Sequence, residues 1–418
     1  MRLTVVGGGS TYTPELADGL GRLAAVLPVE ELTLVDPDPD RLAPVTAVSQ
    51  RILHALGVDT VVRAESSLDK GIDGADAVLI QLRVGGQAAR NVDETLPLEC
   101  GCIGQETTGA GGLAKALRTV PVVLDIADRV RAQNPNAWIV DFTNPVGIVT
   151  RALLEDGHRA VGLCNVAIGF QRRFAQLLDV APDAVALDHV GLNHLTWERG
   201  AYVDGVDRLP ELLAEHGEKL AEQVEMPLEL LQMLGEVPSY YLRYYYFHDQ
   251  VLAGQRQEPS RAAVVTAIEN ELLELYANPA VTQKPVLLEK RGGAYYSEAA
   301  VQLVGALLGT APGRHIVNVR NAGRLPNLPD DAVVEVAAQV DGAGIHVEPG
   351  APLPTAHAGL VAHVTAYEEL ALDAARRGGT ERVVRALLAH PLIGQYDTAR
   401  GLADRLVAAN VAHLPWAR

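Results

Sequence analysis

Three consecutive glycines follow the first apolar run of the chain, and they limit what its beginning can fold into. Leu3 to Val6 reads as a strand, and Gly7-Gly8-Gly9-Ser10-Thr11-Tyr12 leads from it into a helix that is predicted from Pro14 onward. Backbone N–H groups of such a loop, together with the helix N-terminus, can bind a pyrophosphate. Tyr12 stands where the pattern G-x-G-x-x-G has its last glycine, so a simple tight turn is the alternative.

The end of the second predicted strand favours the nucleotide interpretation. Asp36 directly follows Leu32 to Val35, close to the position where an acidic residue binds a ribose hydroxyl in dinucleotide-binding folds. A carboxylate there would repel a 2′-phosphate. The sequence therefore predicts an NAD site formed by the glycine-rich loop and Asp36.

Short β-branched runs alternate with helical stretches up to residue 165, which predicts a parallel sheet covered by helices on both faces. We expect an α/β fold with a Rossmann-like NAD-binding domain over residues 1–165. A mixed α+β domain over residues 166–418 is expected to carry substrate, metal and oligomerisation determinants, and residues 342–354 are expected to form an exposed loop. Further strands are predicted at 77–81, 138–140, 315–319 and 332–336, and helices at 14–25, 41–56, 113–132 (kinked at Pro121), 209–234, 260–276 and 357–409.

Charge and cysteine content narrow the possible partners. The 418 residues carry a net charge of −17, which argues against nucleic acid because phosphate backbones require a basic surface. Three cysteines cannot build a disulfide framework and indicate a reducing cytoplasm. No apolar run reaches the length of a membrane span, and we expect neither a signal peptide nor a membrane partner.

Two metal-ligand residue types stand where short apolar runs end. Cys164 comes shortly after Arg159-Ala160-Val161, and His194 comes shortly after Asp188-His189-Val190. A thiolate and an imidazole are half of a typical metal site, and strand ends are where open α/β proteins bind ligands. A small core cysteine and a structural histidine are the alternative.

Polar residues after two other strands could contact a substrate. Arg83 and Arg90 flank a glycine-containing bend and could hold a phosphate or carboxylate, unless they pair with Asp93 or Glu94. Glu106 lies in the centre of a second glycine-rich loop, over residues 101–112, that we expect to line a site. Asn144 can donate to and accept from a hydroxyl, or it can simply form a turn before a helix.

Five tyrosines cluster around Arg243, in a chain with only four phenylalanines. Tyrosine packs well in cores, so most of them are expected to be packing residues. One that lies near a cation could have its pKa lowered enough to act as a base. The five are Tyr240, Tyr241, Tyr244, Tyr245 and Tyr246.

Taken together, these blocks resemble glycoside hydrolase family 4, the NAD- and metal-dependent glycosidases, which do not use the usual pair of carboxylates. The blocks follow one another in the same order as in that family. They are Gly7-Gly8-Gly9-Ser10, Tyr12-Thr13-Pro14-Glu15, residues 83–90, Gly104-Gln105-Glu106-Thr107-Thr108-Gly109, Thr143-Asn144-Pro145, Cys164-Asn165, Asn193-His194, Tyr241-Leu242-Arg243-Tyr244-Tyr245 and Arg291-Gly292-Gly293.

The resemblance implies a fold like that of lactate and malate dehydrogenases, bound NAD, and a divalent metal, usually manganese, on Cys164 and His194. It implies a homodimer or homotetramer. Asn165 stands where members that cleave α-linkages carry an acid, which indicates the 6-phospho-β-glucosidase branch. Cys100 departs from the family, where a basic residue is common near that loop.

The resemblance also implies roles for individual residues. The cofactor residues are Gly7, Gly8, Gly9, Ser10, Thr11, Asp36, Arg83 and Asn144. The substrate residues are Arg90, Glu106, Asn144, Asn165, Asn193 and Arg291, with Arg90 and Arg291 as candidates for the 6-phosphate.

The predicted reaction is hydrolysis of a phosphorylated disaccharide or aryl glucoside, such as cellobiose 6-phosphate, to glucose 6-phosphate. NAD would take hydride from C3, Tyr241 would remove the acidified proton at C2, and NAD would be regenerated after elimination and water addition. Tyr240 is the alternative base. Another sugar (α-linked, a galactoside or a galacturonide), a hydroxy-acid dehydrogenase of the same fold, and a non-catalytic NAD-binding regulator are the competing functions.

Overall fold

The protein was analysed as a computed structural model that describes residues 1–293 and 295–418. Its strands within these ranges form one sheet in the order β10-β8-β7-β12-β11-β6-β5-β4-β1-β2-β3, with β13 on β12 and β9 on β8. The strands are β1 (Arg2–Val6), β2 (Glu31–Val35), β3 (Val61–Glu65), β4 (Ala77–Ile80), β5 (Trp138–Asp141), β6 (Ala160–Gly162), β7 (Val185–Leu192), β8 (Leu195–Val203), β9 (Val206–Asp207), β10 (Val237–Pro238), β11 (Gly313–Arg320), β12 (Val333–Asp341) and β13 (Gly344–Val347).

Helices separate the strands of the first half and dominate the second. They are α1 (Thr13–Arg22), α2 (Pro39–Ala55), α3 (Leu68–Gly71), α4 (Gly86–Glu99), α5 (Gly109–Gln133), α6 (Val146–Glu155), α7 (Val166–Leu178), α8 (Leu209–Val224), α9 (Leu228–Leu234), α10 (Arg243–Tyr246), α11 (His248–Gln255), α12 (Arg261–Ala277), α13 (Leu287–Arg291), α14 (Tyr296–Leu307), α15 (Thr355–Arg377), α16 (Thr380–Leu388) and α17 (Tyr396–Asn410). Short 3-10 helices lie at Pro182–Ala184, Tyr240–Leu242, Val411–His413 and Pro415–Ala417.

The first six strands are parallel and run in the order 3-2-1-4-5-6, the arrangement of dinucleotide-binding folds. The predicted Rossmann-like half is thus confirmed. Strands β1, β2, β4 and β5 are almost entirely buried, which explains their mainly apolar sequences. Strand β3 was not predicted, because this edge strand is largely exposed and contains Arg63 and Glu65 within its five residues.

The strands of the second half extend the same sheet with antiparallel pairs. Asn318 on β11 pairs with Gly162 on β6, and β12, β7 and β8 follow outward. Strands β7 and β8 form a hairpin whose turn contains Asn193 and His194. The division of the chain near residue 165 stays a prediction.

One prediction about the segments after residue 330 was wrong in detail. Residues 342–354 were expected to be an exposed loop, but Gly344–Val347 is a strand paired with β12. The turn before it is held by Asp341, whose Oδ1 accepts hydrogen bonds from the N–H groups of Ala343 (2.8 Å) and Gly344 (3.2 Å). The tail from residue 357 to 409, predicted to be mostly helical, contains helices α15, α16 and α17.

Helix α5 occupies the centre of the molecule and carries the longest buried face. It continues through Pro121 and begins four residues before its predicted start at 113. Two glycines let the first turn of α5 pack closely against neighbouring backbone. A Cβ on Gly111 would lie 2.4 Å from Asp93 O, and one on Gly112 would lie 2.1 Å from Thr107 O. The start of α5 thereby fixes the loop that carries Glu106. Among the described helices, none combines the length and apolar character needed to cross a membrane.

Candidate active site

A large cleft of about 1440 Å³ opens at the carboxyl ends of the parallel strands. It contains most of the predicted site residues. Those in its lining are Gly7, Gly9, Ser10, Asp36, Arg83, Arg90, Glu106, Asn144, Asn165, His194, Tyr241 and Arg291. The remaining predicted residues, Gly8, Thr11, Cys164 and Asn193, are buried.

The glycine-rich loop passes tightly over the end of β2 at one side of the cleft. The N–H groups of Gly7 and Gly8 both donate to Val35 O at 2.9 Å, and Gly9 N–H donates to Asp36 Oδ2 at 3.0 Å. A Cβ on Gly8 would lie 2.7 Å from Leu34 Cβ, and one on Gly9 would lie 2.9 Å from Asp36 Cγ. The loop therefore needs glycine to approach the acidic residue, and the resulting cradle fits a dinucleotide.

Tyr12, at the position of the missing glycine, has a structural role. Its hydroxyl donates to Gly293 O at 2.5 Å, which ties the glycine-rich loop to the segment after α13. The Arg291 guanidinium carbon lies 5.5 Å from the centre of the Tyr12 ring. The departure from the dinucleotide pattern thus links the loop to the second half of the chain.

Glu106 lies at the centre of a buried group of cations. It accepts from Arg83 and from Lys115 (2.5 Å), and Arg90 Nη2 lies 3.2 Å from its Oε1. Burial raises the pKa of Glu106, but the charges of Arg83, Lys115 and Arg90 outweigh burial and hold it well below its usual value. Arg83 and Arg90, together with Lys115 when it is protonated, therefore surround this carboxylate with donors that could also bind an anionic substrate.

Lys115 was not predicted, although a charged residue in the apolar stretch 113–132 was a usable signal. Its side chain is only 3% exposed and lines the cleft. Burial, followed by the neighbouring charge of Arg83, lowers the pKa of Lys115 to about 7 against the opposing effect of Glu106.

The alternative prediction for Arg83 and Arg90, that they pair with Asp93 or Glu94 instead of binding substrate, holds in part. Arg90 Nε donates a hydrogen bond to Glu94 at 2.7 Å.

Arg291 lies beside the glycine-rich loop. Its Nε donates to Thr11 Oγ1 at 2.8 Å, and its Nη2 lies 3.2 Å from Glu269 Oε1. Glu269 also accepts from Arg41 (3.3 Å) and Gln87 (3.1 Å). Glu269, the acidic residue that partly neutralises Arg291, was missed by the sequence analysis, although it is a buried acid on the largely apolar helix α12.

Cys164, His194 and Tyr241 meet at the other side of the cleft. Cys164 lies between β6 and α7, and His194 occupies the β7–β8 turn with a left-handed φ of 63°. The Tyr241 ring stacks on the His194 ring with centroids 3.6 Å apart and planes inclined by 6°. Cys164 is near enough for its charge to raise the pKa of Tyr241, to which burial makes the larger contribution.

The chemistry of these side chains fits a divalent metal. His194 Nδ1 and Asn193 Oδ1 are buried and have no hydrogen-bond partner among the residues that the structure describes. Burial lowers the pKa of His194 to about 4, so the ring is neutral, as a metal ligand must be. Burial also raises the pKa of the Cys164 thiol, so a thiolate here requires a cation.

The described residues contain no group of three or more His, Cys, Asp and Glu side chains able to hold a metal. A metal bound by Cys164 and His194 would thus keep positions open to substrate, which is the pattern of catalytic sites.

The other tyrosines of the cluster mainly pack. Arg243 lies 4.1 Å from the centre of the Tyr240 ring, and Tyr246 accepts a hydrogen bond from Trp197 Nε1 at 3.2 Å. Tyr244 is buried, and Tyr245 packs against the core. Tyr241 differs from all four in its contact with a predicted metal ligand.

Comparison with known proteins adds an independent finding. The model described as "Family 4 glycosyl hydrolase" matches residues 2–180, and "Family 4 glycosyl hydrolase C-terminal domain" matches residues 189–393. A "Probable 6-phospho-beta-glucosidase" of Bacillus subtilis is 37% identical over 99% of this chain and 97% of its own length. A "6-phospho-beta-glucosidase" of Escherichia coli is 36% identical over 99% of this chain and 96% of its own.

Solved structures agree with this. The 6-phospho-beta glucosidase of Thermotoga maritima, with manganese, NAD+ and glucose-6-phosphate, superposes with a TM-score of 0.92 at 32% identity and covers 99% of both chains. Malate dehydrogenase of Salinibacter ruber, 14% identical over 90% of this chain and 98% of its own, has a TM-score of 0.53. The second likeness confirms the predicted dehydrogenase-like fold and nothing further.

Proposed function

The chain belongs to glycosyl hydrolase family 4, and from this we propose that it hydrolyses 6-phospho-β-glucosides to glucose 6-phosphate. Cellobiose 6-phosphate and aryl β-glucoside 6-phosphates are the substrates that we expect. The names of full-length relatives at 36% and 37% identity support this proposal. The observation that carries it is the stacking of Tyr241 on His194 in the same cleft as the glycine-rich loop.

NAD and a divalent cation such as manganese are the proposed cofactors, as in the Thermotoga maritima structure. Gly7 to Thr11 and Asp36 would hold NAD, with Arg83 and Asn144 further along the cleft. Cys164 and His194 would hold the metal. When bound, NAD would supply reversible hydride transfer at C3 of the sugar, and the metal would polarise the resulting carbonyl.

Tyr241 is the residue to which we assign removal of the proton at C2. Its ring orientation is set by the stack on His194, which places the phenol beside the proposed metal ligands. Burial raises the pKa of Tyr241 well above its ordinary value, so the phenol stays protonated until a neighbouring cation stabilises the phenolate. This dependence would restrict base catalysis to the fully assembled site.

The sugar phosphate and hydroxyls would be held by residues along the cleft. The grouping of Arg83, Arg90 and Lys115 around Glu106 supports Arg90 as a phosphate contact. Arg291 is proposed as the second contact, with Glu269 setting its position. Glu106, Asn144, Asn165 and Asn193 are proposed to bind the sugar or the metal shell.

A homodimer or homotetramer in the cytoplasm is the proposed assembly and location. The three cysteines, Cys100, Cys102 and Cys164, are all free, which suits a reducing compartment. The net charge of −17 supports a small-molecule substrate rather than nucleic acid.

One assay tests the function. Release of p-nitrophenol from its β-glucoside 6-phosphate is followed with NAD and manganese present, while absorbance at the NADH band is recorded. Dye release without net NADH is expected. Two parallel reactions contain a hydroxy acid or the α-anomer in place of the β-glucoside. Steady NADH formation from the hydroxy acid would indicate the dehydrogenase function, and faster dye release from the α-anomer would indicate the α-linked branch. The absence of both dye release and NADH formation would indicate a non-catalytic NAD-binding protein.

A further inference from the structure

A buried polar network lies directly behind the proposed metal ligands. His189 on β7 bonds to two carboxylates, with Nδ1 2.6 Å from Glu198 Oε1 and Nε2 2.9 Å from Glu335 Oε1. Glu335 Oε2 accepts from Asn193 Nδ2 at 3.0 Å and from Asn318 Nδ2 at 2.8 Å. Each of these five side chains is buried, and together they connect β7, β8, β11, β12 and the turn that carries His194.

Glu335 can only accept hydrogen bonds in this network. Burial lowers the pKa of His189, but Glu198 and Glu335 outweigh burial and raise it to about 10, so both ring nitrogens carry protons. His189 and the amides of Asn193 and Asn318 thus supply three donors to one carboxylate. A carboxylate accepts on both oxygens, so the nitrogen of the Asn193 amide, not its oxygen, must face Glu335.

The orientation of Asn193 matters because it adjoins both proposed ligands. Asn193 directly precedes His194 in the β7–β8 turn. Burial and Glu335 raise the pKa of the Cys164 thiol, and the Asn193 side chain is near enough to oppose that rise. With Nδ2 turned to Glu335, Oδ1 remains a buried acceptor without a partner among the described residues.

We propose that Glu335, held by His189 and Glu198, is a positioning residue that fixes the Asn193 amide and thereby sets the affinity of the Cys164–His194 site for a divalent metal. This inference rests on the proposed function, which places the metal there. Groups that orient metal ligands in this way change metal affinity by roughly 10- to 100-fold when they are replaced.

The test measures Mn²⁺ binding to the full-length, NAD-loaded protein by calorimetry, without substrate. Glu335→Gln keeps the shape of the side chain but replaces one acceptor oxygen with a donor that opposes the existing donors. We expect Mn²⁺ affinity to fall about 10- to 100-fold, with NAD affinity unchanged. Glu236→Gln is the matched control, because it alters a partly buried carboxylate–histidine bond to His357 (2.5 Å) that lies outside the cleft.

A double-mutant cycle shows whether Glu335 acts through Asn193. In an Asn193→Ala background, Glu335→Gln should have almost no additional effect on Mn²⁺ affinity. Additive losses, or a wild-type affinity in Glu335→Gln, would overturn the inference. If Glu335→Gln does not fold, His189→Gln is measured in the same two backgrounds, with the same expectation and the same overturning results.

The wild-type protein separates this inference from the proposed function. Mn²⁺ binding that is lost in Cys164→Ser but unchanged in Glu335→Gln would overturn only the role of Glu335. A wild-type protein that binds no Mn²⁺ would overturn the metal site and, with it, this inference.

Discussion

The side chains of Cys164, His194 and Tyr241 form the reactive end of the cleft, and the protonation state of each depends on its surroundings. Burial keeps the His194 ring neutral and the Tyr241 phenol protonated, and it raises the pKa of the Cys164 thiol. In each case burial disfavours the charged form of the side chain, because an isolated charge is unstable in a low-dielectric site. A cation that enters between them would favour the thiolate and the phenolate together.

Replacing Tyr241 by phenylalanine tests the base directly. The variant keeps the ring that stacks on His194 and loses only the hydroxyl, so the fold should persist while turnover falls by roughly 10²- to 10⁴-fold, the usual contribution of a general base. Steady-state turnover of the aryl β-glucoside 6-phosphate is the measurement. Tyr245→Phe, outside the lining of the cleft, is the control. Full activity in Tyr241→Phe with loss in Tyr240→Phe would transfer the role to Tyr240.

Removing the thiol tests the metal site. Serine is nearly the same size as cysteine but lacks the soft sulfur ligand, so Cys164→Ser should abolish activity and leave NAD binding and thermal stability close to wild type. Activity after dialysis against chelator and re-addition of Mn²⁺ is the measurement, with NAD affinity recorded in parallel. A variant that remains fully active in metal-free buffer would show that Cys164 is not a ligand.

At the scale of elements, the cleft is built from loops that follow strands and are tied to helix starts. The Glu106 loop joins the end of α4 to the beginning of α5, and its cations come from both helices and from the segment after β4. Glu269 on helix α12 contacts the glycine-rich loop, where it accepts a hydrogen bond from Thr11 Oγ1. Packed helices thereby connect the substrate and cofactor ends of the cleft.

Arg90 on α4 is expected to discriminate between phosphorylated and plain substrates. Binding energy from the remote phosphate can be used to orient the reacting carbons, so Arg90→Ala should lower kcat/KM for the 6-phosphate much more than for the plain β-glucoside. Parallel assays with both substrates are the measurement. Equal proportional losses would place Arg90 in a structural role through Glu94 and Glu106 instead.

Gly104 should be a structural requirement of the Glu106 loop. A Cβ at this position would lie 1.7 Å from Glu94 O, so Gly104→Ala must displace backbone. We expect the free energy of unfolding to fall by about 1–3 kcal/mol, as for other overpacked sites, together with weaker substrate binding. Urea denaturation measures the first. Gly401→Ala is the control, because it lies in α17 with open space around it and should stabilise the protein by about 0.5–1 kcal/mol.

At the scale of the whole molecule, the continuous sheet brings the two ends of the reaction into one cleft. The parallel strands supply the glycine-rich loop, Asp36 and Cys164, whereas the antiparallel extension supplies His194 and its supporting network. The parallel half of the sheet lacks His194, and the antiparallel half lacks the glycine-rich loop, Asp36 and Cys164. A substrate bound in this cleft would therefore contact residues that both halves of the sheet position.

Turnover in D₂O tests the complete reaction. Removal of the C2 proton by Tyr241 and its later replacement from solvent should place deuterium at C2 of the released glucose 6-phosphate. Mass spectrometry and proton NMR of the product are the measurements, and NAD should be recovered unchanged. A product without deuterium at C2 would exclude the elimination route, whatever the effect of Tyr241→Phe.

Much of the fold and part of the site could be predicted from the sequence. The buried parallel strands appear as mainly apolar runs, and the glycine-rich loop and Asp36 follow such runs at recognisable positions. Cys164, His194 and Tyr241 were identified by residue type and by resemblance in motif. The exposed edge strand β3 and the short strand β13 escaped, because polar residues and turn glycines interrupt the pattern on which strand prediction depends.

Local sequence patterns predicted the buried strands β1, β2, β4 and β5 and the residue types available for chemistry, because periodicity and turn composition are local properties of the chain. The tertiary fold alone stacks Tyr241 on His194, brings Lys115 and two arginines to Glu106, and turns Glu335 toward Asn193. These contacts join segments far apart in the chain. Each contact depends on which strands pair in the sheet and on which charged side chains are buried next to one another. Local sequence patterns determine neither of these.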